Sequence, residues 1–557
     1  MLASDLDMIP VWGRAQAGRF KRWLSPRQRR LAALRAQWGR PGTKDRWLES
    51  RYFELSRTPG DPRHVDDRTW KDLEFPRIFA RLDTTVTRIG SQCLFHRLRT
   101  YWDDPADAAA FHEAAEGLRR DQRLREEIQL RLSSLAVDSY ASIAESLYGD
   151  PPGNFRHPAL IVAWCGVSLA LLAATFAFSL GPLPMLALLV VNFVTVLTLS
   201  AQASQLVDSL RACQSLLSVA ARLARIRTSA QIPQLATLAA AGNLRARVRR
   251  GFRWLALLQR LHEPLGIDAW LNFLCLAEFV ADLHALRAFE RLRPDLRHLY
   301  ETVGSLDAST AVASFLERTP TRCTPTVTRA ASIEIVGGRH PLLERQTPNS
   351  LTLNGSSALV SGSNMAGKTT FIKMVTTNVI LGRALGVCLA ERAVIPWASV
   401  MASIRGEHSI ESGKSRYFAE LEALLEFLSR AREGEPLVLA IDEPFSGTNT
   451  RERVAAATAV LAALSRGALV LATTHDVELH DLLRGRFDLY HFREDPDVEG
   501  FFDFRLRSGA CTEGNALRLL AKIGFPGEVV EEALAVVGDA RAAAEKKRDN
   551  PSGGGST

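Results

Sequence analysis

The sequence predicts a helical region followed by an α/β domain, with a pair of apolar helices inside the helical part. Residues 64–150 and 208–320 are rich in Leu, Ala and Arg, with apolar residues at helical spacing. Residues 158–207 contain no Asp, Glu, Lys or Arg. From Ser332 to about residue 505, short apolar runs alternate with Gly turns and helical patterns, which is typical of an α/β domain.

Composition limits the possible partners without choosing among them. The chain has 557 residues, of which 46% are hydrophobic and 23% charged, as in a globular protein with its own core. The net charge of +8 suits a phosphate-rich partner, either nucleic acid or an anionic membrane face. The seven cysteines lack metal-site spacing, which favours reduced thiols over a structural metal.

The first 60 residues form a basic segment without an apolar secretory signal. Its arginines alternate with Phe20, Trp23, Leu24 and Leu31. A helix lying on a membrane surface, contacts to DNA phosphates and a solvated helix face are three interpretations that fit this pattern. A second basic stretch covers residues 245–253.

The apolar stretch 158–203 predicts a transmembrane helical hairpin. Its two runs, 159–180 and 183–199, are separated by Gly181, Pro182 and Pro184, and each run is close to the roughly 20 residues that cross a bilayer. Arg156 and Arg211 flank the stretch, so positive charge marks both ends as cytoplasmic. A helical hairpin buried in a soluble core is the alternative.

A phosphate-binding loop is the strongest motif in the chain. The apolar residues 358–360 precede it as a strand and residues 370–374 continue it as a helix. In this context the loop backbone wraps a phosphate, Lys368 reaches the β- and γ-phosphates, and the Thr369 hydroxyl binds Mg²⁺. The expected nucleotide-binding residues of this motif are Gly362, Ser363, Asn364, Met365, Ala366, Gly367, Lys368, Thr369 and Thr370.

Two further strands end in polar residues suited to nucleotide hydrolysis. The apolar run 437–441 delivers Asp442 and Glu443 at its end. We expect Asp442 to hold Mg²⁺ and Glu443 to act as general base on the attacking water. The run 469–472 leads to His475, which is expected to contact the γ-phosphate. The predicted catalytic residues are therefore Glu443, His475 and Lys368, and the predicted metal ligands are Thr369 and Asp442.

These motifs together resemble the MutS family of DNA-repair ATPases. Asn364 and Met365 match that family's phosphate loop, and the segments 338–344 (Gly-Arg-His-Pro-Leu-Leu-Glu), 412–420 (the signature loop) and 447–448 (Gly-Thr) match its other motifs. The resemblance implies an ABC-type fold for the ATPase domain. It also implies that Asn349 contacts adenine and that Ser415 contacts the γ-phosphate bound by a partner subunit.

The resemblance also implies a domain organisation. The helices on either side of the hairpin look like the family's core and lever region, whereas its mismatch-reading domain and its clamp have no recognisable counterpart. The expected parts are a basic segment (1–60), a core and lever region (61–157 and 204–330) bearing the transmembrane hairpin (158–203), an ABC-type P-loop α/β ATPase domain (331–512), a helical dimerisation segment (513–540) and a disordered tail (541–557).

The function expected from the sequence is ATP hydrolysis in the composite site of a homodimer. ATP and Mg²⁺ are the expected cofactors, and no other small-molecule substrate is evident. DNA binding linked to repair or recombination follows from the resemblance, and a membrane-remodelling or signalling ATPase without DNA binding is the alternative. The expected location is the inner (cytoplasmic) membrane, multi-pass, with the ATPase domain and both termini cytoplasmic.

Overall fold

Contacts divide the chain into two units. Unit 1 comprises residues 1–61, 79–99 and 109–320, and unit 2 comprises residues 62–78, 100–108 and 321–557. Unit 1 is helical and unit 2 carries two β-sheets, which confirms the predicted mixed fold. The computed structural model describes residues 25–42, 49–58, 60–61, 63–135, 143–151, 158–178, 182–228, 230–254, 257, 271, 274–363, 366–404, 416–494, 501–510, 524–533 and 535.

The helices up to residue 320 are numbered here in chain order. Helices α4 and α6 contain residues of both units, and α3 belongs to unit 2. They are α1 (Pro26–Gln37), α2 (Arg51–Ser56), α3 (Asp67–Asp72), α4 (Phe75–Leu82), α5 (Arg88–Arg99), α6 (Pro105–Arg120), α7 (Gln122–Leu132), α8 (Ile143–Tyr148), α9 (Pro158–Phe178), α10 (Pro182–Leu223), α11 (Pro233–Ala240), α12 (Leu244–Gly251) and α13 (Ala277–Glu317).

Unit 1 is organised around α13, whose 41 residues correspond to a length of about 60 Å. The buried Asp307 of this helix accepts hydrogen bonds from the Val86 amide (2.9 Å), the Thr87 amide (2.7 Å) and the Thr87 hydroxyl (2.6 Å). Helix α5 begins directly after these residues and packs closely on α13, because Gly304 has no Cβ: a Cβ there would lie 2.2 Å from Cys93 Sγ.

Helices α9 and α10 form the apolar hairpin of unit 1. The Trp164 indole donates to Asn192 Oδ1 at 2.7 Å and joins the two helices. Residues 158–175 and 182–200 are each long and apolar enough to cross a membrane, and only 11% of each stretch is buried. Helix α10 continues well beyond the apolar run, to Leu223.

Unit 2 holds a six-stranded and a four-stranded sheet. Their strand orders are β10-β9-β4-β8-β7-β6 and β1-β5-β2-β3, and in the larger sheet all neighbouring strands except β10 and β9 run parallel. The elements are β1 (Thr326–Thr328), β2 (Ser332–Gly338), β3 (Asn349–Asn354), β4 (Ser357–Ser361), α14 (Lys368–Leu385), β5 (Arg392–Pro396), β6 (Ser399–Ser403), α15 (Arg416–Arg432), β7 (Leu437–Asp442), α16 (Thr450–Leu464), β8 (Leu469–Thr474), α17 (Glu478–Leu482), β9 (Phe487–His491) and β10 (Arg507–Ser508).

The core of the larger sheet follows from its apolar central strands. Every residue of β4, β7 and β8 is buried. The side chains of Leu439 and Val470 pack with Phe427 of α15 and Leu461 of α16 in one hydrophobic cluster. Continuous apolar strands are expected where helices cover a parallel sheet.

The Asp307 carboxylate is predicted to be essential for the stability of unit 1. Asp307→Ala leaves two amides and a hydroxyl without their buried acceptor, so we expect a loss of about 3 kcal/mol or more. Asp307→Asn should lose less, because it keeps one acceptor oxygen. Thermal unfolding followed by circular dichroism is the measurement, with Arg291→Ala at the α13 surface as the control. Equal melting temperatures for Asp307→Ala and the control would contradict the role.

A second carboxylate of α13 predicts a pH-dependent stability. Asp282 is fully buried, and neither of its oxygens has a hydrogen-bond partner among the residues described. Burial, with a smaller contribution from Glu278, raises its pKa from 3.8 to about 7. The folded state therefore retains a proton that the unfolded state releases, and stability falls as pH rises from about 4 to about 7.

Asp282→Asn removes this ionisation and should raise the melting temperature above that of the unmodified protein at pH 8. Each pKa unit corresponds to about 1.4 kcal/mol, so the expected gain is a few kcal/mol. At pH 5 the two proteins should differ much less, because the aspartic acid is then neutral. A difference between the two proteins that is the same at pH 5 and pH 8 would show that Asp282 does not titrate in this range.

Candidate nucleotide site

The phosphate-binding loop joins the buried strand β4 to helix α14. Gly362 directly follows the strand with φ 141°, and Gly367 caps the helix with φ 102°. A Cβ at Gly362 would lie 2.6 Å from the backbone oxygen of Phe492, so only glycine fits there without a shift of the backbone. The loop thus presents backbone at the N-terminus of a long helix, where anions bind. Asn364 and Met365 lie outside the described residues.

Lys368, the first residue of α14, turns back over this loop. Its side chain is 4% exposed, and its ammonium group donates to the carbonyl oxygens of Gly362 (2.7 Å) and Ser363 (3.0 Å). The ammonium nitrogen is 3.6 Å from Glu443 Oε1 and 3.3 Å from His475 Nδ1. The three predicted catalytic side chains therefore lie together.

Asp442 connects three elements at one edge of the sheet. The Thr369 hydroxyl lies 3.0 Å from both carboxylate oxygens, and the Thr473 hydroxyl donates to Oδ1 at 2.6 Å. Asp442 and Thr473 are paired residues at the ends of the parallel strands β7 and β8. The same Thr473 hydroxyl accepts the Glu443 amide at 3.0 Å. Thr473 thereby fixes the position of both acidic residues.

The turn after β7 is held in an unusual backbone conformation. Glu443 and Phe445 have φ values of 49° and 61°, in the left-handed region that non-glycine residues rarely adopt. Two contacts oppose this strain: the Phe445 amide donates to Glu420 Oε1 at 2.6 Å, and the Glu443 carboxylate contacts His475 Nε2. Strained residues of this kind concentrate at functional sites. The turn aims the Glu443 carboxylate at Lys368 and His475.

Other predicted site residues lie apart from this cluster or outside the described chain. Asn349 begins β3, and its amide group bonds the Phe504 oxygen (2.9 Å) and the Leu506 amide (2.8 Å). Thr370 is exposed on the first turn of α14, and Ala366 is buried in the loop. Ser415 is outside the described residues, as is most of the segment 513–540, of which only 524–533 and 535 are described.

Sequence reasoning missed three residues of the site. The only local signal for Thr473 is its place at the end of an apolar run, since the sequence does not show that this strand lies beside the one that carries Asp442. Glu420 lay within a matched motif but had no assigned role. Phe504 gave no signal, yet its ring is near the loop, since a Cβ on Gly367 would lie 3.3 Å from Phe504 Cδ1.

The residues present fit the cofactors that the sequence predicts. Thr369 and Asp442 bring a hydroxyl and a carboxylate together, and oxygen ligands of this kind suit Mg²⁺. The glycine loop and the Lys368 ammonium suit a polyphosphate. When bound, Mg²⁺ would neutralise developing phosphate charge. Thr369 and Asp442 are the residues that would hold it.

This geometry defines a P-loop nucleotide-binding α/β domain, and comparison with known proteins shows what the domain is similar to. Residues 358–540 match MutS domain V. The chain is similar to "DNA mismatch repair protein MutS" of Natronomonas pharaonis, with 32% identity over 46% of this chain and 30% of that protein. It is 31% identical to the Thermus thermophilus protein of the same name over 53% of this chain and 34% of the relative. "Endonuclease MutS2" of Clostridium botulinum is 31% identical over 41% of this chain and 30% of that protein.

The match to MutS domain V and the similarity to MutS and MutS2 proteins support a MutS-family protein. Proteins of this family are ATPases that use ATP and Mg²⁺, act as dimers and bind DNA. The matched region spans about a third of the length of these relatives, 30–34%. The match to domain V begins at β4 and includes the phosphate loop, both acidic residues and His475.

Thr473 is predicted to position the two acidic residues. Thr473→Val keeps the shape of the side chain but removes the hydrogen bonds to Asp442 and to the Glu443 amide. We expect kcat for ATP hydrolysis to fall by about tenfold or more, with a smaller change in KM for ATP. Thr473→Ser retains the hydroxyl and should stay near the unmodified rate. Equal kcat values for the valine and serine variants would rule out the positioning role.

Proposed function

We propose that this chain is a membrane-anchored MutS-like ATPase that acts on DNA in repair or recombination. The observation that carries the proposal is the arrangement around Asp442, which links Thr369 of the phosphate loop to Thr473 and places Glu443 next to Lys368 and His475. The combination of a lysine, a metal-binding oxygen pair and a general base is what hydrolysis of a nucleoside triphosphate requires.

The roles of the side chains follow from their chemistry. The Glu443 carboxylate takes the proton of the attacking water, and its contact with His475 orients it for this step. Lys368 supplies positive charge where negative charge develops on the transferred phosphoryl group. Its ammonium group is held in place by the carbonyl oxygens of Gly362 and Ser363, so little reorganisation is needed.

A composite site in a homodimer is the second part of the proposal. Its support is the family, whose members act as dimers, together with the match of domain V through residue 540. In this arrangement Ser415 of one subunit contacts the nucleotide of the other. Gly447 and Thr448, which match a motif of the family, lie between the Glu443 turn and α16, and the Thr448 amide donates to the Phe445 oxygen at 3.3 Å.

Membrane anchoring is the third part, and the hairpin supports it. Residues such as Leu160, Phe178, Leu183 and Leu197 are between 61% and 78% exposed, which water would oppose and lipid would favour. Two helices crossing together place both flanks on one side, and the flanking arginines favour the cytoplasmic side. The inner membrane is therefore the proposed location of the protein, with its ATPase domain and both termini in the cytoplasm.

The same hairpin favours a second candidate function. An ATPase that remodels a membrane, or signals at it, would use the same nucleotide site without binding DNA. The hairpin lies in the helical unit, outside residues 358–540 that match MutS domain V, so that match supports an ATPase without specifying what it acts on.

DNA dependence of the ATPase rate separates the two candidates. Detergent-purified protein is assayed with duplex, branched and single-stranded DNA over a salt series. A DNA-acting enzyme should be stimulated several-fold at low salt, and the stimulation should fade as salt competes for the phosphate contacts. An active ATPase that is indifferent to every DNA would contradict DNA binding and favour the membrane candidate.

Glu443→Gln serves as the matched control for this assay. It should lower the hydrolysis rate by about 100-fold or more while ATP still binds, because the amide cannot act as a base. With ATP trapped, light scattering should report twice the mass of one chain. A monomeric mass under these conditions would contradict the composite site, and hydrolysis at the unmodified rate would contradict the role of Glu443.

A further inference from the structure

The surface of α12 and the residues just after it is basic and partly aromatic. Helix α12 buries Leu244 and Val248 in unit 1, and Phe252 just beyond it is also buried. On the outside, Arg249, Arg250 and Arg253 are exposed. Two large apolar side chains are exposed beside them, Trp254 (53%) and Leu257 (48%), and the Arg253 guanidinium lies over the Trp254 ring. Arginines together with exposed Trp and Leu side chains are the composition of helical surfaces that lie on a membrane.

Contacts with α13 show which way α12 points. Arg247 of α12 forms an ion pair with Asp295 of α13 at 2.8 Å. Gly251, four residues later in α12, packs against Ala288, which is seven residues earlier in α13 than Asp295. Helix α12 thus runs antiparallel to α13. Its C-terminal end points toward the first turns of α13.

The first turns of α13 carry the base of the hairpin. Ile161, in the first turn of α9, packs with Phe279 and Leu283 of α13, and Leu199 of α10 joins the same cluster. At 1.5 Å per residue, Ala288 lies about 8 Å from Leu283 along the helix axis. The residues after Gly251 are therefore directed toward the level at which the hairpin enters its apolar stretch.

The charge of this region is one-sided. From residue 209 to residue 262, directly after the hairpin, the chain contains arginines but no aspartate or glutamate. Basic clusters immediately cytoplasmic of a membrane helix attract anionic lipids, and tryptophan is enriched at the level of the headgroups. Double-stranded DNA shares the phosphate chemistry, but it gives no reason for an exposed Trp254 and Leu257 beside the base of an apolar hairpin.

We propose that Arg249, Arg250 and Arg253, with Trp254 and Leu257, form a surface that binds the headgroups of anionic phospholipids. The arginines contact the phosphates, and Trp254 and Leu257 enter the boundary between headgroups and acyl chains. This inference rests on the proposed membrane anchoring and adds a lipid class and a site. It assigns the basic stretch 245–253 to lipid instead of DNA.

The test uses the full chain in a neutral detergent. It is titrated with short-chain phosphatidylglycerol, short-chain phosphatidylcholine, inorganic phosphate and a duplex oligonucleotide, and binding is measured as the shift in melting temperature with concentration. The variant replaces Arg249, Arg250 and Arg253 with glutamine. The matched control replaces Arg120, Arg123 and Arg466, which are exposed and lie in α6, in α7 and just after α16, with the same net change in charge. A third variant, with lysine at 249, 250 and 253, keeps the charge.

Phosphatidylglycerol should bind more tightly than phosphatidylcholine. Each basic residue near the membrane surface raises the affinity for anionic lipid about fivefold, so the glutamine variant should bind phosphatidylglycerol about 100-fold more weakly. The control and lysine variants should lose little of this affinity. Equal affinity for the two lipids, an unchanged glutamine variant, or equally tight binding of inorganic phosphate would overturn the inference. Binding of the duplex alone, lost in the glutamine variant, would make this a nucleic-acid surface and overturn it as well.

A separate measurement tests the anchoring on which the inference rests. The protein is reconstituted with phosphatidylcholine vesicles and extracted at alkaline pH. If every variant stays with the vesicles and the titration shows no preference for phosphatidylglycerol, the hairpin is in the membrane and only the headgroup surface is contradicted. Protein that is released from the vesicles in every variant defeats the membrane hairpin itself.

Discussion

The nucleotide site depends on the hydrogen bonds that the Asp442 carboxylate accepts. One comes from the helix that follows β4 and one from the end of β8, so a single side chain ties three neighbouring strands of the order β4-β8-β7. Because these strands run parallel, their C-terminal ends meet at one edge of the sheet. The predicted catalytic side chains Lys368, Glu443 and His475 lie together at that edge, next to the buried strands β4, β7 and β8. The strained turn at Glu443 can persist because this frame holds both of its ends.

Much of this site could be predicted from local sequence. The glycines, Lys368 and Thr369 of the loop 362–369 occur at the fixed spacing of a phosphate-binding motif. Asp442, Glu443 and His475 follow apolar runs, so a short segment of sequence is enough to predict each of them. Thr473 was missed as a site residue because its role depends on which strand lies beside β7, and strand order is a property of the whole sheet. The bonds of Asn349 to Phe504 and Leu506 join residues about 155 positions apart, which no local pattern reveals.

The fold of the helical unit shows a different limit. The succession of helices and the apolar hairpin could be predicted from periodicity and from the absence of charge. The end of α10 could not, because the loss of apolar character near residue 200 marks the end of an apolar surface, whereas the backbone stays helical to Leu223. The sequence around Asp307 gives no sign that its carboxylate is buried and accepts several hydrogen bonds. Its importance comes from two amides and a hydroxyl some 220 positions earlier in the chain.

Helix α13 contains a proline at position 294, between its two sets of contacts. Proline has no amide hydrogen, so the carbonyl of Glu290 lacks its partner within the helix and the rod is weakest there. The residues that meet the hairpin lie before this point, and Gly304 and Asp307 lie after it. Arg293 and Arg297, on either side of the proline, both donate to the Leu147 oxygen, which pins the weak point against α8. The proline therefore divides α13 into a segment that carries the hairpin and a segment that packs on α5, and the junction of the two is fastened to α8.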